Sequence, residues 1–154
     1  MPTLPAPRRL LATLLPTVLL LVLAACGGGA TPTSSATGSQ PANGELPDDC
    51  ARVDADGVIT ISAQNLEFSA PCMVANAGEP FTIHFENLEG VPHDVAVYTD
   101  SSKDNEVMRG DPITGPNQSK DYEVPAMEAG QAYFDCTIHP ADMNGTLYVV
   151  EAGS

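Results

Sequence analysis

The chain has 154 residues, with 20 acidic and six basic side chains and a formal net charge of −14. All the acidic residues and four of the basic ones follow Cys26, so this part carries a formal charge of −16. Such a surface repels a phosphate backbone and argues against nucleic acid as a partner. It suits either simple solubility or the attraction of a partner protein with a basic docking surface.

The first 25 residues predict export. Arg8 and Arg9 precede an apolar run over residues 10–25, whose 16 residues are fewer than the roughly 20 that a spanning helix needs. The run ends in LAAC, which resembles the lipobox of bacterial lipoproteins, where the cysteine is lipid-modified and becomes the new N-terminus. We therefore predict a lipoprotein signal peptide over residues 1–25, a lipid on Cys26 and an extracytoplasmic protein anchored to the cell membrane. An ordinary signal peptide with a chance cysteine is the alternative, and the arginine pair also allows twin-arginine export.

Residues 26–47 are predicted to be the lipidated cysteine and a flexible linker. The sequence GGGATPTSSATGSQPANGELP is rich in small and polar residues and has almost no large apolar one, so it cannot build a core. About 21 flexible residues have a mean reach of about 25 Å. The linker would hold a single domain, residues 48–154, near a membrane and leave it free to turn.

The sequence of this domain contains short strand signals and no long helical periodicity. Strands are predicted at residues 58–61, 81–85, 95–98, 120–124, 131–136 and 145–150. A short turn of helix is predicted at residues 105–109. Several short strands separated by Gly and Pro favour an all-β fold, which we expect to be an antiparallel sandwich or barrel.

The four cysteines have to be explained together, because an exported protein lies in an oxidising compartment. If Cys26 carries lipid, three cysteines remain. One arrangement pairs Cys50 with Cys72 and leaves Cys136 free, where a metal would occupy its thiolate. A disulfide between Cys136 and one of the other two is the alternative, and it would prevent metal binding at Cys136.

Strand alternation directs Cys136 toward the core. Along residues 132–136, Ala132, Phe134 and Cys136 share one face, and that face carries the apolar side chains. The same rule groups His93 with Val95 and Val97 along residues 93–97, so His93 also faces the core. Two inward-facing side chains at the ends of two strands can meet at one end of a sandwich.

Two more candidate ligands, His139 and Met143, follow Cys136 in the pattern C-x-x-H-x-x-x-M. With His93 they provide two imidazoles, a thiolate and a thioether, which is the ligand set of a blue-copper electron-transfer site. The thiolate bonds covalently to copper and provides a path for the electron. The imidazoles suit both oxidation states, and the weak thioether favours the reduced one.

Two segments carry a resemblance to a known family. FENLEGVPHDVAVY at residues 85–98 and YFDCTIHPADMNGTLYVV at residues 133–150 resemble the ligand-bearing segments of cupredoxins in the plastocyanin and amicyanin group. The resemblance covers most of residues 58–150. It implies a Greek-key β-sandwich or barrel and one type 1 copper ion as the cofactor. The implied copper ligands are His93, Cys136, His139 and Met143.

The same resemblance implies a monomeric carrier, not an enzyme, that shuttles single electrons between redox protein partners. The ring edge of His139 would reach the surface and serve as the electron port. Five largely uncharged residues would form a rim on which a partner can dock closely: Gly90, Val91, Pro92, Pro140 and Ala141. One departure from the family is Asp94, which stands where cupredoxins often have an Asn that ties two ligand loops together.

Other functions use some of the same residues. Copper storage or delivery without a redox partner needs the same ligands, but a His-rich or Met-rich surface would favour it, and the chain has only three histidines. A copper enzyme needs further His-rich sites, and only His84 remains, which alternation places on the surface. Zinc could bind His93, Cys136 and His139 with Asp142 as a fourth ligand, but Met143 would then be unexplained.

Overall fold

A computed structural model of the chain describes residues 46–151. These residues form twelve strands and no helix, which confirms the predicted all-β class. Consequently, no helix in residues 46–151 is long and apolar enough to cross a membrane. The predicted signal peptide, the predicted lipid site at Cys26, most of the predicted linker and the last three residues lie outside the described part.

The strands form two main sheets and one short ribbon. Their bounds are β1 Ala51–Arg52, β2 Val58–Gln64, β3 Glu67–Phe68, β4 Cys72–Asn76, β5 Phe81–Asn87, β6 Pro92–His93, β7 Ala96–Tyr98, β8 Glu106–Arg109, β9 Ile113–Thr114, β10 Gln118–Val124, β11 Gly130–Asp135 and β12 Asn144–Val150. The first sheet has the order β1-β4-β12-β11-β7-β8, the second has the order β10-β5-β2-β3, and β6 pairs with β9. The buried faces of the two sheets enclose one core, as in a sandwich.

Two sequence predictions are wrong, one about strand direction and one about a helical turn. The sheets are not purely antiparallel, because β1 with β4, β4 with β12 and β2 with β5 are parallel pairs. Local alternation cannot reveal such pairs, since parallel neighbours are joined by long crossover connections. The helical turn predicted at residues 105–109 is instead β8, whose backbone groups pair with β7. A segment this short has little helical stability of its own, so sheet pairing determines its structure.

The core follows the predicted alternation. In β5, Phe81, Ile83 and Phe85 are buried, while His84 lies on the outer face with 34% of its side chain exposed. The Phe68 ring joins the sheets, with its centroid 6.3 Å from that of Phe85 and 5.3 Å from that of Phe134. This packed frame supports the end of the sandwich where β11 stops and the ligand loop begins.

Cys50 and Cys72 form a disulfide, and Cys136 is free and buried. The predicted pairing is therefore confirmed, and the alternative in which Cys136 is oxidised is wrong. Val74 packs beside the disulfide in a small second cluster. The bond attaches the beginning of the domain to β4, the strand next to the edge strand β1 in the larger sheet.

Replacing both Cys50 and Cys72 by Ala should lower the free energy of unfolding by about 3 kcal/mol, because the disulfide closes a sequence separation of 22 residues. Chemical denaturation of the purified protein measures this change. A reducing agent should destabilise the parent by a similar amount and leave the double variant unaffected. A double variant as stable as the parent would contradict the assignment of a stabilising role to the disulfide.

Candidate metal centre

The loop after β11 folds back on itself through main-chain hydrogen bonds. The N–H of Cys136 donates to the Met143 carbonyl at 2.9 Å, and the N–H groups of His139 and Met143 donate to the carbonyls of Cys136 and His139 at 3.1 and 2.9 Å. These bonds gather Cys136, His139 and Met143 at one end of the sandwich. His93 reaches the same end from β6, where it pairs with Ile113 of β9.

Three donor atoms form a compact triangle at this end. The Cys136 sulfur lies 3.7 Å from His93 Nδ1 and 3.8 Å from His139 Nδ1, and the two nitrogens are 3.2 Å apart. A point equidistant from all three lies about 2.1 Å from each, close to the metal–nitrogen and metal–sulfur distances of about 2.0–2.1 and 2.3 Å known for zinc. The donor set therefore fits a first-row transition-metal ion.

Burial separates the four predicted ligands into two kinds. His93, Cys136 and Met143 are completely buried, whereas His139 is partly exposed. Burial raises the pKa of the Cys136 thiol, although the N–H groups of Asp94, Ile138 and His139 point at the sulfur and oppose that shift. Cys136 binds a metal as a thiolate, so metal binding must displace the thiol proton.

The zinc alternative lacks its predicted fourth ligand at this site. Asp142 is exposed and does not belong to the group formed by His93, Cys136 and His139. A second grouping in residues 46–151, Asp49 with Cys50 and Cys72, has both sulfurs in the disulfide. Met143, whose main chain bonds to Cys136 and whose side chain is completely buried, completes a set of residue types that suits copper.

Comparison with protein families decides the identity of the metal. Residues 55–150 match the model of the copper-binding proteins of the plastocyanin/azurin family. The chain belongs to this family. The predicted cupredoxin resemblance is confirmed, and the cofactor is one type 1 copper ion. A comparison with curated protein sequences finds no significant match.

Solved structures support the same fold. Auracyanin A, a blue copper protein from the green thermophilic photosynthetic bacterium Chloroflexus aurantiacus, is 21% identical, and the match covers 60% of this chain and 98% of that one with a TM-score of 0.55. Auracyanin from Roseiflexus castenholzii is 18% identical over 63% of this chain and 99% of that one, also with a TM-score of 0.55. Amicyanin from Paracoccus versutus is 26% identical, and the match covers 69% of this chain and 86% of that one with a TM-score of 0.45.

Glu89 is a residue of the site that the sequence analysis missed. Its Oε1 lies 2.8 Å from His93 Nε2 and accepts the N–H of Leu66 at 3.0 Å. The Leu66 N–H is the main cause that holds the pKa of Glu89 below its usual value, and His93 adds to it. Because an ionised carboxylate can only accept, His93 Nε2 carries the proton and Nδ1 is free to face the metal.

Asn87 explains why Glu89 stands where it does. Its fully buried side chain donates to the carbonyls of Val91 and Ile113 at 2.7 and 2.9 Å and accepts the N–H of Glu89 at 3.0 Å. The loop before His93 is therefore folded around one amide. The sequence contains no local signal for this contact, since residues 88–92 have no regular periodicity.

Asp94 makes the connection that the family often assigns to an Asn. Its Oδ1 accepts the N–H of Thr137 at 2.6 Å, and its Oδ2 accepts the Thr137 hydroxyl. Thr137 directly follows Cys136, so this carboxylate ties the segment of His93 to the loop that carries the other three predicted ligands. The departure noted in the sequence keeps the tie and replaces an amide by a carboxyl group.

Gly145 lies two residues after Met143, and close packing explains why this position is a glycine. It pairs with Phe134 across β11 and β12. A Cβ at this position would overlap the Pro71 carbonyl oxygen and lie 2.5 Å from Phe134 Cζ. A residue without a side chain is needed here because the backbone passes close to the Phe134 ring and the Pro71 carbonyl at this position.

Gly145→Ala should therefore lower the free energy of unfolding by about 1–3 kcal/mol, the usual cost of overpacking a filled core. Chemical denaturation of the parent and the variant measures it. Gly90→Ala is a matched control, because a Cβ at Gly90 has nothing within 4 Å. Equal losses in the two variants would show that the close approach at Gly145 is not the cause.

Proposed function

We propose that the protein is a membrane-tethered, extracytoplasmic blue copper protein that carries single electrons between redox partners, and that its copper ligands are His93, Cys136, His139 and Met143. The observation that carries this proposal is the triangle of two Nδ1 atoms and one sulfur, built on a buried frame with one imidazole at the surface. We assign the chain no enzymatic reaction.

The arrangement of the side chains suits rapid electron transfer. Bound copper supplies a one-electron couple between its cuprous and cupric forms. His93 is fixed by Glu89, and Cys136 by the main chain of Met143, inside a core that permits little movement. A frame that keeps its donor atoms in place in both oxidation states needs little reorganisation, and the partly exposed His139 provides the exit to the surface.

Three large apolar side chains are exposed within residues 46–151: Leu66, Val91 and Ile138, at 38%, 42% and 40%. All three border the copper end. The N–H of Leu66 donates a hydrogen bond to Glu89. Val91 lies in the loop before His93, and Ile138 directly precedes His139. These three side chains form an apolar rim on an otherwise acidic protein, and Val91 alone among them belongs to the rim predicted from the sequence. This combination suits a redox partner whose own apolar contact surface is flanked by basic side chains.

Two features support an extracytoplasmic location. The Cys50–Cys72 disulfide is typical of an oxidising compartment. The LAAC run, with a lipid on Cys26 and a flexible linker behind it, would keep the domain at the membrane. A flexible linker of about 21 residues would let the apolar rim turn toward partners in the membrane or beside it.

The copper-loaded protein should have a strong visible thiolate-to-copper band that disappears on reduction, and Cys136→Ser should abolish it. Serine keeps the size of the side chain but removes the sulfur that gives rise to the band. Visible absorption and electron paramagnetic resonance measure the effect. His84→Gln should retain the band, because His84 lies on the outer face of β5.

A colourless parent protein would contradict the proposed function. Copper delivery and electron transfer would use the same ligands, but they differ in the expected rates of copper loss and electron exchange. Rapid loss of copper to a chelator together with slow electron exchange would indicate delivery, whereas retained copper and fast, reversible reduction would indicate a carrier.

Ile138→Glu should slow electron self-exchange by roughly tenfold or more, because two like charges would face each other when two copper ends meet. Line broadening in proton spectra of mixed reduced and oxidised protein measures the second-order rate. Ala126→Glu adds the same charge to an exposed position beyond β10, at the opposite end of the sandwich, and should have little effect. Equal rates in Ile138→Glu and the parent would exclude the rim as the contact surface.

A further inference from the structure

Asp94 is a carboxylate in an unusual place for a charge. It is only 1% exposed and directly follows the proposed ligand His93 in the chain. Its backbone N–H points at the Cys136 sulfur, and both of its oxygens accept hydrogen bonds from Thr137. Asp94 is therefore held near the sulfur by its own backbone N–H and by the contacts of its carboxylate with Thr137, the residue after Cys136.

No basic side chain in the described part of the chain forms an ion pair with Asp94. Arg109 interacts with it at longer range, but the Arg109 guanidinium is already paired with Glu106 at 2.6 Å. A negative charge that is buried and not directly neutralised acts strongly on its surroundings, because the interior screens it less than water does.

An added electron and a nearby negative charge repel each other. We propose that Asp94 is a fixed negative charge that lowers the reduction potential of the copper centre, in addition to tying the two ligand segments together. This inference rests on the proposed function. It concerns the charge of Asp94, since an uncharged residue at this position could supply the tie alone.

Asp94→Asn separates the charge from the tie. The amide oxygen of Asn can accept the Thr137 N–H, and its NH₂ group can donate to the Thr137 hydroxyl oxygen, so both contacts have a substitute. Only the charge is lost. Glu128→Gln is the matched control, because it removes one negative charge from an exposed position in the loop after β10, far from the copper end.

The experiment is a redox titration of the copper-loaded full chain, followed through the visible band. Asp94→Asn should keep the band and shift the potential upward, so that the ratio of reduced to oxidised protein at a fixed solution potential rises by roughly tenfold or more, as expected for a unit charge several ångströms away at an effective dielectric constant of about 20. Glu128→Gln should have the potential of the parent.

An unchanged potential in Asp94→Asn would overturn the proposal. Asp94→Ser is a second uncharged variant and should shift the potential in the same direction. If both variants fail to form the coloured site, Asp94 is only a structural tie and the proposal is also overturned. Failure of the proposed function itself would look different, because the parent protein would then lack the band.

Discussion

The copper end depends on a tie between two segments that are far apart in the chain. Asp94 and Thr137 are separated by 43 residues, and each directly follows a proposed copper ligand. Their hydrogen bonds fix the distance between the segment of His93 and the ligand loop. The tie therefore helps to hold the three donor atoms at metal-binding distances from a common point.

The remainder of the site divides two requirements between different side chains. Electron transfer needs a rigid, dry environment, which the burial of His93, Cys136 and Met143 provides. It also needs close approach of a partner, which in the proposed function the partly exposed His139 and its apolar surroundings would allow. Glu89 connects the two regions, because one oxygen contacts both the buried His93 ring and the Leu66 turn at the surface.

Charge is distributed unevenly over this frame. The part of the chain after Cys26 has a formal charge of −16, but large apolar side chains cover the rim of the copper end. Acidic groups elsewhere keep the protein soluble and can attract a basic partner over a distance. Contact itself would then occur on an apolar surface, where little charge has to be desolvated.

The sequence alone determined the features that depend on local patterns. Period-two alternation directed Cys136 inward and placed His84 outside, and cysteine arithmetic included the observed disulfide among its arrangements. The tertiary structure decided the parallel pairing of β2 with β5, the strand at residues 106–109, and the contacts of Glu89 with Leu66 and His93. Alternation reports which face a side chain occupies, whereas these contacts depend on how separate segments close upon each other. That closure is set by the packing of the whole core.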